Sequence, residues 1–191
     1  MSTTTTTRTF QGLDIPAAGT FEIDTSHSTL QFVARHLMVS KVRGRFGSYS
    51  GIITIADDPL ESSVTVTIDP ATVDTGDDGR DAHLISADFF AVEEHPEITF
   101  RSTAVRPVTG NRFDVDGELT IRGVTKTVTI PAEFEGVAGD PWGNERIGFS
   151  AQVEVDREAF GLTWNQALEA GGVLVAKTVK IDIDVQGVRQ G

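Results

Sequence analysis

Three residues near the N-terminus have the side chains of a hydrolytic triad: Asp24, His27 and Ser28. A serine nucleophile needs a histidine base within hydrogen-bond reach, and the histidine needs a carboxylate behind it. Neighbouring side chains at the start of a strand point to opposite sides, so His27 and Ser28 are not expected to form a proton relay. No other nucleophile and base, and no pair of carboxylates, is recognisable by spacing. We therefore predict a protein without catalytic residues.

The four histidines are the next candidates for chemistry. They are His27, His36, His83 and His95, and no pair has the His-x-His or His-x3-His spacing of a metal site. The chain has no cysteine, which excludes zinc-thiolate sites, thiolate nucleophiles and disulfides. The only carboxylate near one of these histidines in a suggestive position is Asp81. We predict no metal site.

Strict alternation of apolar and polar residues defines the elements that would position any site. The second half of the chain shows it most clearly, since Phe113, Val115, Leu119 and Ile121 alternate with charged or polar residues. Glycines interrupt one long run, as expected where a strand bends. About eight strands are predicted, and their apolar runs lie at 30–35, 42–55, 64–68, 98–101, 113–121, 128–135, 147–155 and 179–185.

Other segments lack this alternation. Residues 80–90 have apolar positions near the helical period and predict a short amphipathic helix, and residues 157–172 predict a further turn or two, capped by Asn165 and stopped by Gly171. Residues 1–20 are rich in threonine, glycine and proline, and predict a flexible tail or a strap laid over the domain. One domain is expected, over residues 21–191.

Composition restricts the class of partner. The net charge of −12, from 28 acidic and 16 basic residues, makes nucleic acid an unfavourable partner. No window approaches the ~20 apolar residues of a membrane span, and no apolar run follows Arg8 as in a secretory signal, so we predict a cytoplasmic protein. An all-β chain of this kind forms either a two-sheet sandwich with a packed core or a barrel. Long strands, the glycine-bent run and 11 phenylalanines favour the barrel.

Motifs in consistent order along the chain carry a resemblance to a known family. They are Asp24, His27 and Ser28; Arg35 and His36; Gly44 and Phe46; Arg80, Asp81, His83 and Leu84; Asp88, Phe89 and Phe90; Pro96, Ile98 and Phe100; Gly117, Leu119, Ile121 and Gly123 to Lys126; and Arg157, Phe160 and Gly161. Over residues 21–185 the chain resembles the YceI-like family. The resemblance implies a lipocalin-like antiparallel barrel, a homodimer, and an elongated apolar cavity for a polyisoprenoid lipid or similar amphiphile, with no other cofactor.

The resemblance suggests which residues would form such a site. Apolar and aromatic residues of the strands and helix would bind the chain of the ligand: Leu30, Phe32, His36, Phe46, His83, Phe89, Phe90, Phe100, Leu119, Ile121, Phe149, Val153, Phe160, Trp164 and Ile181. Guanidinium groups would bind a carboxylate or diphosphate head group, and the candidates are Arg35, Arg43, Arg45 and Arg80.

Alternatives exist for several of these residues. Arg80 with Asp81 could instead anchor the helix, and His83 could be a hydrogen-bonded interior histidine. The barrel itself could be a packed scaffold, or a stress-related interaction protein, without a lipid ligand. The loop 139–144 with Trp142, and the segment around Trp164, would then be interaction surfaces, unless both tryptophans close an end of the barrel.

Overall fold

The structure, a computed structural model, describes residues 5–191 and is almost entirely β. It contains one α-helix, α1 (Asp78–Ile85), and three short 3-10 turns at Pro59–Glu61, Pro70–Thr72 and Arg157–Phe160. The strands are β1 (Thr7–Phe10), β2 (Leu13–Pro16), β3 (Gly19–Ile23), β4 (Thr29–His36), β5 (Ser40–Phe46), β6 (Tyr49–Ile55), β7 (Ser63–Ile68), β8 (Val73–Asp74), β9 (Ile98–Thr109), β10 (Arg112–Ile121), β11 (Val124–Gly139), β12 (Glu145–Asp156) and β13 (Val175–Arg189).

The strands close into a single antiparallel barrel. The order is β12-β11-β10-β9-β7-β6-β3-β13, and β12 pairs again with β13 to complete the circle. β3 and β4 are two parts of one bent strand, because both pair with β13. β5 and β6 are likewise two parts of the next strand in the barrel, because β6 pairs with β3 and β5 pairs with β4. When each bent strand is counted once, the barrel has eight strands, which confirms the predicted fold class.

Two glycines allow phenylalanine rings to lie close against the backbone on the inside of this barrel. A Cβ at Gly44 would come within 2.2 Å of the Phe32 ring, and one at Gly117 within 2.4 Å of the Phe100 ring. Such distances are far below van der Waals contact, so only glycine permits these ring positions. Each ring covers the bare backbone of the neighbouring strand and leaves the centre of the barrel free.

The barrel has two differently built ends. The hairpin end is formed by residues 7–16, 56–62, 109–112 and 139–145, and the helix end by residues 36–40, 78–97, 121–124 and 157–174. At the hairpin end β1 and β2 form an antiparallel hairpin whose Ile15 belongs to the buried core. Arg8 fixes this hairpin by donating to the carbonyls of Pro16, Ala56 and Asp57.

This hairpin lies in the segment predicted as a flexible tail or strap. Residues 7–16 are ordered strands and correspond to a strap, while residues 1–4 lie outside the described residues. Four-residue strands are too short to show a convincing alternation in the sequence. Their order comes from contact with the barrel.

The helical predictions require correction. Helix α1 ends at Ile85 rather than Phe90, because the Ser86 hydroxyl donates to the carbonyl of His83 and the chain then turns. The segment after Arg157 forms one 3-10 turn and then a loop, with no helix at 165–172. Asn165, predicted to cap a helix, instead bridges to Val175, accepting from its N–H and donating to its carbonyl. No helix among residues 5–191 has the length and apolar content needed to cross a bilayer.

Candidate functional site

The inside of the barrel is a continuous apolar cavity. Its volume is about 360 Å³, and its wall includes residues of the hairpin end, such as Phe10 and Ile15, and of the helix end, such as Phe90 and Leu162. Along β10 the wall runs from Phe113 to Ile121, roughly 27 Å at the usual rise of a strand. The polar or charged residues in the wall are Gln31, Ser62, Ser63, Ser150 and Arg157.

Side chains do not fill this space. Phe32, Phe100, Val128, Ile130 and Ile181 all face the cavity and are only half-buried, although they are apolar and belong to the strands of a closed barrel. In a packed core such residues would be fully buried. The barrel is therefore hollow over its central part.

The wall contains many of the residues predicted to contact a ligand chain. These are Leu30, Phe32, Phe46, Phe90, Phe100, Leu119, Ile121, Phe149, Val153 and Ile181. Period-two alternation selects the nine of them that lie on strands, because a residue with an inward neighbour two positions away also faces inward; Phe90 lies in the turn after α1.

The helix end of the cavity is closed by aromatic rings. Phe90 lies edge-on to Phe46 with ring centroids 5.9 Å apart, and Phe46 lies 5.7 Å from Phe32. The guanidinium of Arg122 donates to the carbonyl of Phe89 at 2.7 Å and fixes the turn that presents Phe90. Aromatic contacts of this kind contribute about 1 kcal/mol each, so the closure is weakly held.

Four predicted ligand contacts form a second layer behind this closure. His83 lies edge-on to Trp164 and Phe89, at centroid distances of 4.6 and 5.0 Å, and Phe160 is buried in the same cluster. Their side chains are not part of the cavity wall. The Nε2 atom of His83 lies 2.8 Å from a carboxylate oxygen of Asp88, so His83 is a hydrogen-bonded histidine that packs against the aromatic layer.

Arg157 is a cavity-wall residue that the sequence did not single out as a ligand contact. Its side chain is buried, and it donates to the carbonyls of Leu162, Trp164, Val175 and Ala176 at 2.5 to 3.2 Å. Burial lowers the pKa of this guanidinium. One cation thus holds the loop 161–174 against β13 without a carboxylate partner.

The predicted head-group arginines lie outside the cavity. Arg35, Arg43 and Arg45 project from the outer face of the β4–β5 hairpin, and Arg45 pairs with Asp74 at 3.1 Å. Arg80 donates to the hydroxyl and the carbonyl of Thr75, which corresponds to the alternative that it anchors the helix. These positions follow from parity, because residues that alternate with inward apolar ones face outward.

His36 also lies outside the wall, at the last position of β4. It is half-buried and pairs with Val175 of β13. The cavity wall on β4 ends two residues earlier, at Ala34. His36, which was predicted to contact the ligand chain, therefore belongs to the tip of the hairpin and not to the cavity wall.

Charged side chains dominate the hairpin end. Arg146 contacts Asp24 at 2.6 Å and Asp140 at 2.9 Å, and Arg189 contacts Glu145 at 2.7 Å. The Arg146 guanidinium, with the hydroxyl of Ser26, holds the pKa of Asp24 well below its usual range. These ion pairs are largely shielded from solvent and tie β12, β13 and the loop 139–145 together.

The Asp24, His27 and Ser28 side chains do not form a relay. His27 contacts Asp24 at 2.8 Å, but Ser28 makes its hydrogen bonds to the backbone of Gln186, accepting from the N–H at 2.9 Å. The hydroxyl of Ser26 is the one beside His27. This group is exposed and lies outside the apolar cavity wall.

The histidines are widely separated in the fold. His27 follows β3, His36 ends β4, His83 lies on α1 and His95 follows the helix-end turn. Within residues 5–191, no cluster of three or more histidine, aspartate or glutamate side chains has the arrangement of a metal site.

Comparison with known proteins identifies the family. The model of the YceI-like domain matches residues 21–187. The chain belongs to the YceI-like family. A UPF0312 protein of Staphylococcus aureus is 39% identical over 170 residues, which cover 87% of this chain and 95% of the relative.

Solved structures show the same barrel. The crystal structure of Burkholderia cenocepacia BcnA superposes with a TM-score of 0.74 and 27% identity, over 86% of this chain and 98% of BcnA. A polyisoprenoid-binding domain from Saccharophagus degradans, implicated in plant cell wall breakdown, superposes with a TM-score of 0.69 and 17% identity, over 89% of this chain and 98% of that domain.

Part of the cavity wall of this YceI-like chain was not predicted from the sequence. Val128, Ile130, Ile183 and Val185 were visible in the same alternation and could have been chosen by parity alone. Phe10 and Ile15 were hidden, because they come from the hairpin that the sequence predicted as a tail or strap. Arg157 gave a signal only through its place in the family motif.

Proposed function

We propose that this YceI-like protein binds a long isoprenoid lipid in the barrel cavity and performs no chemistry on it. The observation that supports this most directly is the row of apolar side chains that face the cavity while only half-buried. Covering such surface is favourable by about 25 cal/mol per Å². An apolar ligand of matching length would provide that cover.

The wall also restricts the chemistry of the ligand. Arg157 is its only charged residue, and four of the roughly five N–H groups of a guanidinium are already donated to carbonyls. This guanidinium therefore lacks the two free N–H groups that a bidentate interaction with a carboxylate or phosphate requires. The buried part of the ligand is therefore hydrocarbon or carries a weakly polar head, and an ionised head group stays at an end of the barrel.

An isoprenoid fits this wall better than a ligand recognised through polar groups. Its branched chain has only methyl, methylene and vinylic groups, and the wall is made mainly of phenylalanine, leucine, isoleucine and valine. The Saccharophagus degradans domain of the same fold is a polyisoprenoid-binding domain, which supports the proposal. Whether binding serves transport, storage or sensing depends on partners beyond this chain.

The decisive experiment is denaturing extraction of the untagged protein with organic solvent, followed by mass spectrometry of the extract. We expect an isoprenoid chain, as a polyprenyl lipid or an isoprenoid quinone, in near-stoichiometric amount. An extract without lipid, together with no binding of added polyprenyl alcohol, would contradict the proposal and favour a scaffold that works through its surface.

A pair of variants links binding to the cavity. Ala151→Phe places a ring in the lumen, because Ala151 lies in the cavity wall, as does Ala132, its pairing partner on the adjacent strand. Gln152→Phe adds the same ring one residue later on the exposed outer face. We expect the first variant to lose at least about tenfold in affinity for the extracted lipid, which corresponds to about 1.4 kcal/mol, and the second to bind as wild type. Equal binding by both would exclude the cavity as the site.

We also propose a homodimer, which the family resemblance implies, and a cytoplasmic location. Both are part of the proposal. Multi-angle light scattering of the purified chain tests the dimer, and fractionation of cells expressing it at native level tests the compartment.

A further inference from the structure

The β4–β5 hairpin differs in charge from the rest of the molecule. Residues 25–56 contain no aspartate or glutamate, although the chain has 28 acidic residues and a net charge of −12. Arg35, Lys41, Arg43 and Arg45 all lie in this hairpin and are exposed. Arg45 pairs with Asp74, whereas the other three form no ion pair with any residue in 5–191. The outer face of this hairpin is thus locally cationic.

The turn of the same hairpin is apolar. Leu37 and Met38 are the two central residues of a β-turn, with φ of 53° and 60°, which is closed by a hydrogen bond of 3.2 Å from the N–H of Val39 to the carbonyl of His36; Val39 completes the three-residue loop between the paired residues His36 and Ser40. A turn of this kind favours asparagine and glycine, which adopt positive φ readily. Here large apolar side chains occupy it, with 39, 55 and 82% of Leu37, Met38 and Val39 exposed. Folding of the hairpin gives no reason for these residue types.

A neighbouring loop extends this surface. The N–H of Leu37 donates to the carbonyl of Leu174 at 2.9 Å, and the preceding residue Val173 is 38% exposed. We call Leu37, Met38, Val39 and Val173 the apolar tip. They are half of the eight large hydrophobic residues exposed in the described part of the chain.

The apolar tip belongs to the end of the barrel with the weak aromatic closure. His36 pairs with Val175, whose carbonyl accepts from the cavity-wall residue Arg157 at 3.2 Å. Ala34, two residues before His36, is itself in the cavity wall. An object bound by the apolar tip would therefore lie close to the helix end of the cavity.

We propose that the apolar tip inserts into the interfacial region of a lipid bilayer that carries anionic head groups, with Arg35, Lys41 and Arg43 contacting the phosphates. Apolar side chains next to cations are the combination that binds such a surface. The acidic remainder of the molecule is repelled by the same surface, which orients the helix end towards it. This inference rests on the proposed function, for which it supplies a path: a hydrocarbon chain would pass between bilayer and cavity without crossing water.

Two carboxylates reduce the positive charge of this surface. Asp74 neutralises Arg45, and Glu169 is an acidic residue in the loop beside the apolar tip. Binding should therefore depend on both insertion and charge, and salt should weaken it because exposed charges are screened within about 10 Å at 0.1 M salt.

Flotation with vesicles tests the proposal on the full chain. We expect little binding to phosphatidylcholine vesicles, at least fivefold more bound protein when phosphatidylglycerol is included, and loss of that gain in high salt. The double variant Leu37→Asn, Met38→Gly should lose at least tenfold in bound fraction. Because it installs the residues that the turn favours, it should unfold at the same temperature as wild type or a higher one. Arg35→Gln with Arg43→Gln should remove the preference for phosphatidylglycerol.

The control is Trp142→Ser, which removes an apolar side chain that is 79% exposed at the hairpin end. It should bind vesicles as wild type does, and a loss of binding there would overturn the proposal. So would equal flotation of wild type and the double variant. Loss of a dimer in the double variant, with no flotation of wild type, would show instead that the apolar tip contacts a second copy of the chain.

Lipid extraction separates this inference from the proposed function. Wild-type protein that contains an isoprenoid but does not float would contradict membrane docking alone. Wild-type protein that floats but neither contains nor binds an isoprenoid would leave docking supported and contradict the cavity as a lipid site.

Discussion

The two ends of the barrel are held by different forces. At the hairpin end, arginines pair with carboxylates across β12, β13 and the loop 139–145, and Arg8 ties the β1–β2 hairpin to backbone carbonyls. At the helix end, rings of Phe46, Phe90 and their neighbours close the cavity by apolar contact. Directional, charge-assisted bonds make a cover rigid, whereas rings in contact can rotate apart at small cost. The difference predicts that a ligand enters the cavity at the helix end.

The largest effect is expected at Arg157, which is an exception to this pattern at the helix end. Arg157→Met removes donors from four carbonyls and should lower the free energy of unfolding by about 3 kcal/mol. Arg157→Lys keeps the positive charge but lacks the planar guanidinium that donates to several carbonyls, so this variant should lose less stability than Arg157→Met. Urea denaturation measures both. A loss below about 1 kcal/mol for the methionine variant would show that water replaces the guanidinium and that the loop needs no such anchor.

Arg146 is the corresponding cation of the hairpin end. Arg146→Gln leaves Asp24 and Asp140 without their counter-ion and should lower the free energy of unfolding by about 2 kcal/mol at pH 7. The same variant predicts a pH dependence. The pKa of Asp24, lowered chiefly by Arg146, and that of Asp140, lowered chiefly by Asn144, both lie below the ordinary value of 3.8.

A carboxyl whose pKa is lower in the folded than in the unfolded chain stabilises the fold fully above the unfolded pKa. That contribution is lost as the pH falls through the folded value. The difference between wild type and Arg146→Gln should therefore be largest at neutral pH and shrink below about pH 4. Urea denaturation at pH 7 and pH 3 measures it, and a difference that grows towards acid would contradict the assignment.

Exchange kinetics distinguish the two ends as entrances. Phe90→Ala removes the ring that contacts Phe46 and should raise the rates of uptake and release of a fluorescent polyene about tenfold. Arg8→Ala loosens the opposite cover and should leave both rates unchanged. Stopped-flow fluorescence measures the rates. Faster exchange in the Arg8 variant alone would assign the entrance to the hairpin end.

Substitution of a tryptophan is expected to give the smallest effect on stability. Trp142 lies at the hairpin end and Trp164 at the helix end. Trp142 is 79% exposed, so it does not close the barrel, and Trp142→Ser should change the free energy of unfolding by less than about 0.5 kcal/mol. Trp164 packs 5.4 Å from Phe89 in the second aromatic layer. Emission of Trp164 should shift when a ligand enters, and acrylamide should quench Trp142 more strongly. Equal quenching in the two single-tryptophan variants would contradict this difference between the ends.

The alternation of the strands indicates much of the face that lines the cavity. Phe100, Leu119, Ile121 and Ile181 lie in the wall as parity requires, and Arg35 and Arg43 face outward for the same reason. Alternation is a local property of extended backbone, which has two faces whatever it pairs with. Helix bounds were less predictable, because a hydrogen bond from Ser86 ended α1 before its apolar pattern did.

The sequence by itself determined the fold class, the strand faces and the family, since each depends on residue order along the chain. Only the tertiary structure decided that the lumen stays hollow, because two glycines allow Phe32 and Phe100 to lie against the wall. It also decided what closes each end. His83 and Trp164 form a layer behind the rings of Phe46 and Phe90, and Arg157 donates hydrogen bonds to four carbonyls. The β1–β2 hairpin covers the opposite opening. Most of these interactions bring together segments that are separated in the chain, such as His83 with Trp164 and Arg157 with Val175, and no local pattern encodes them.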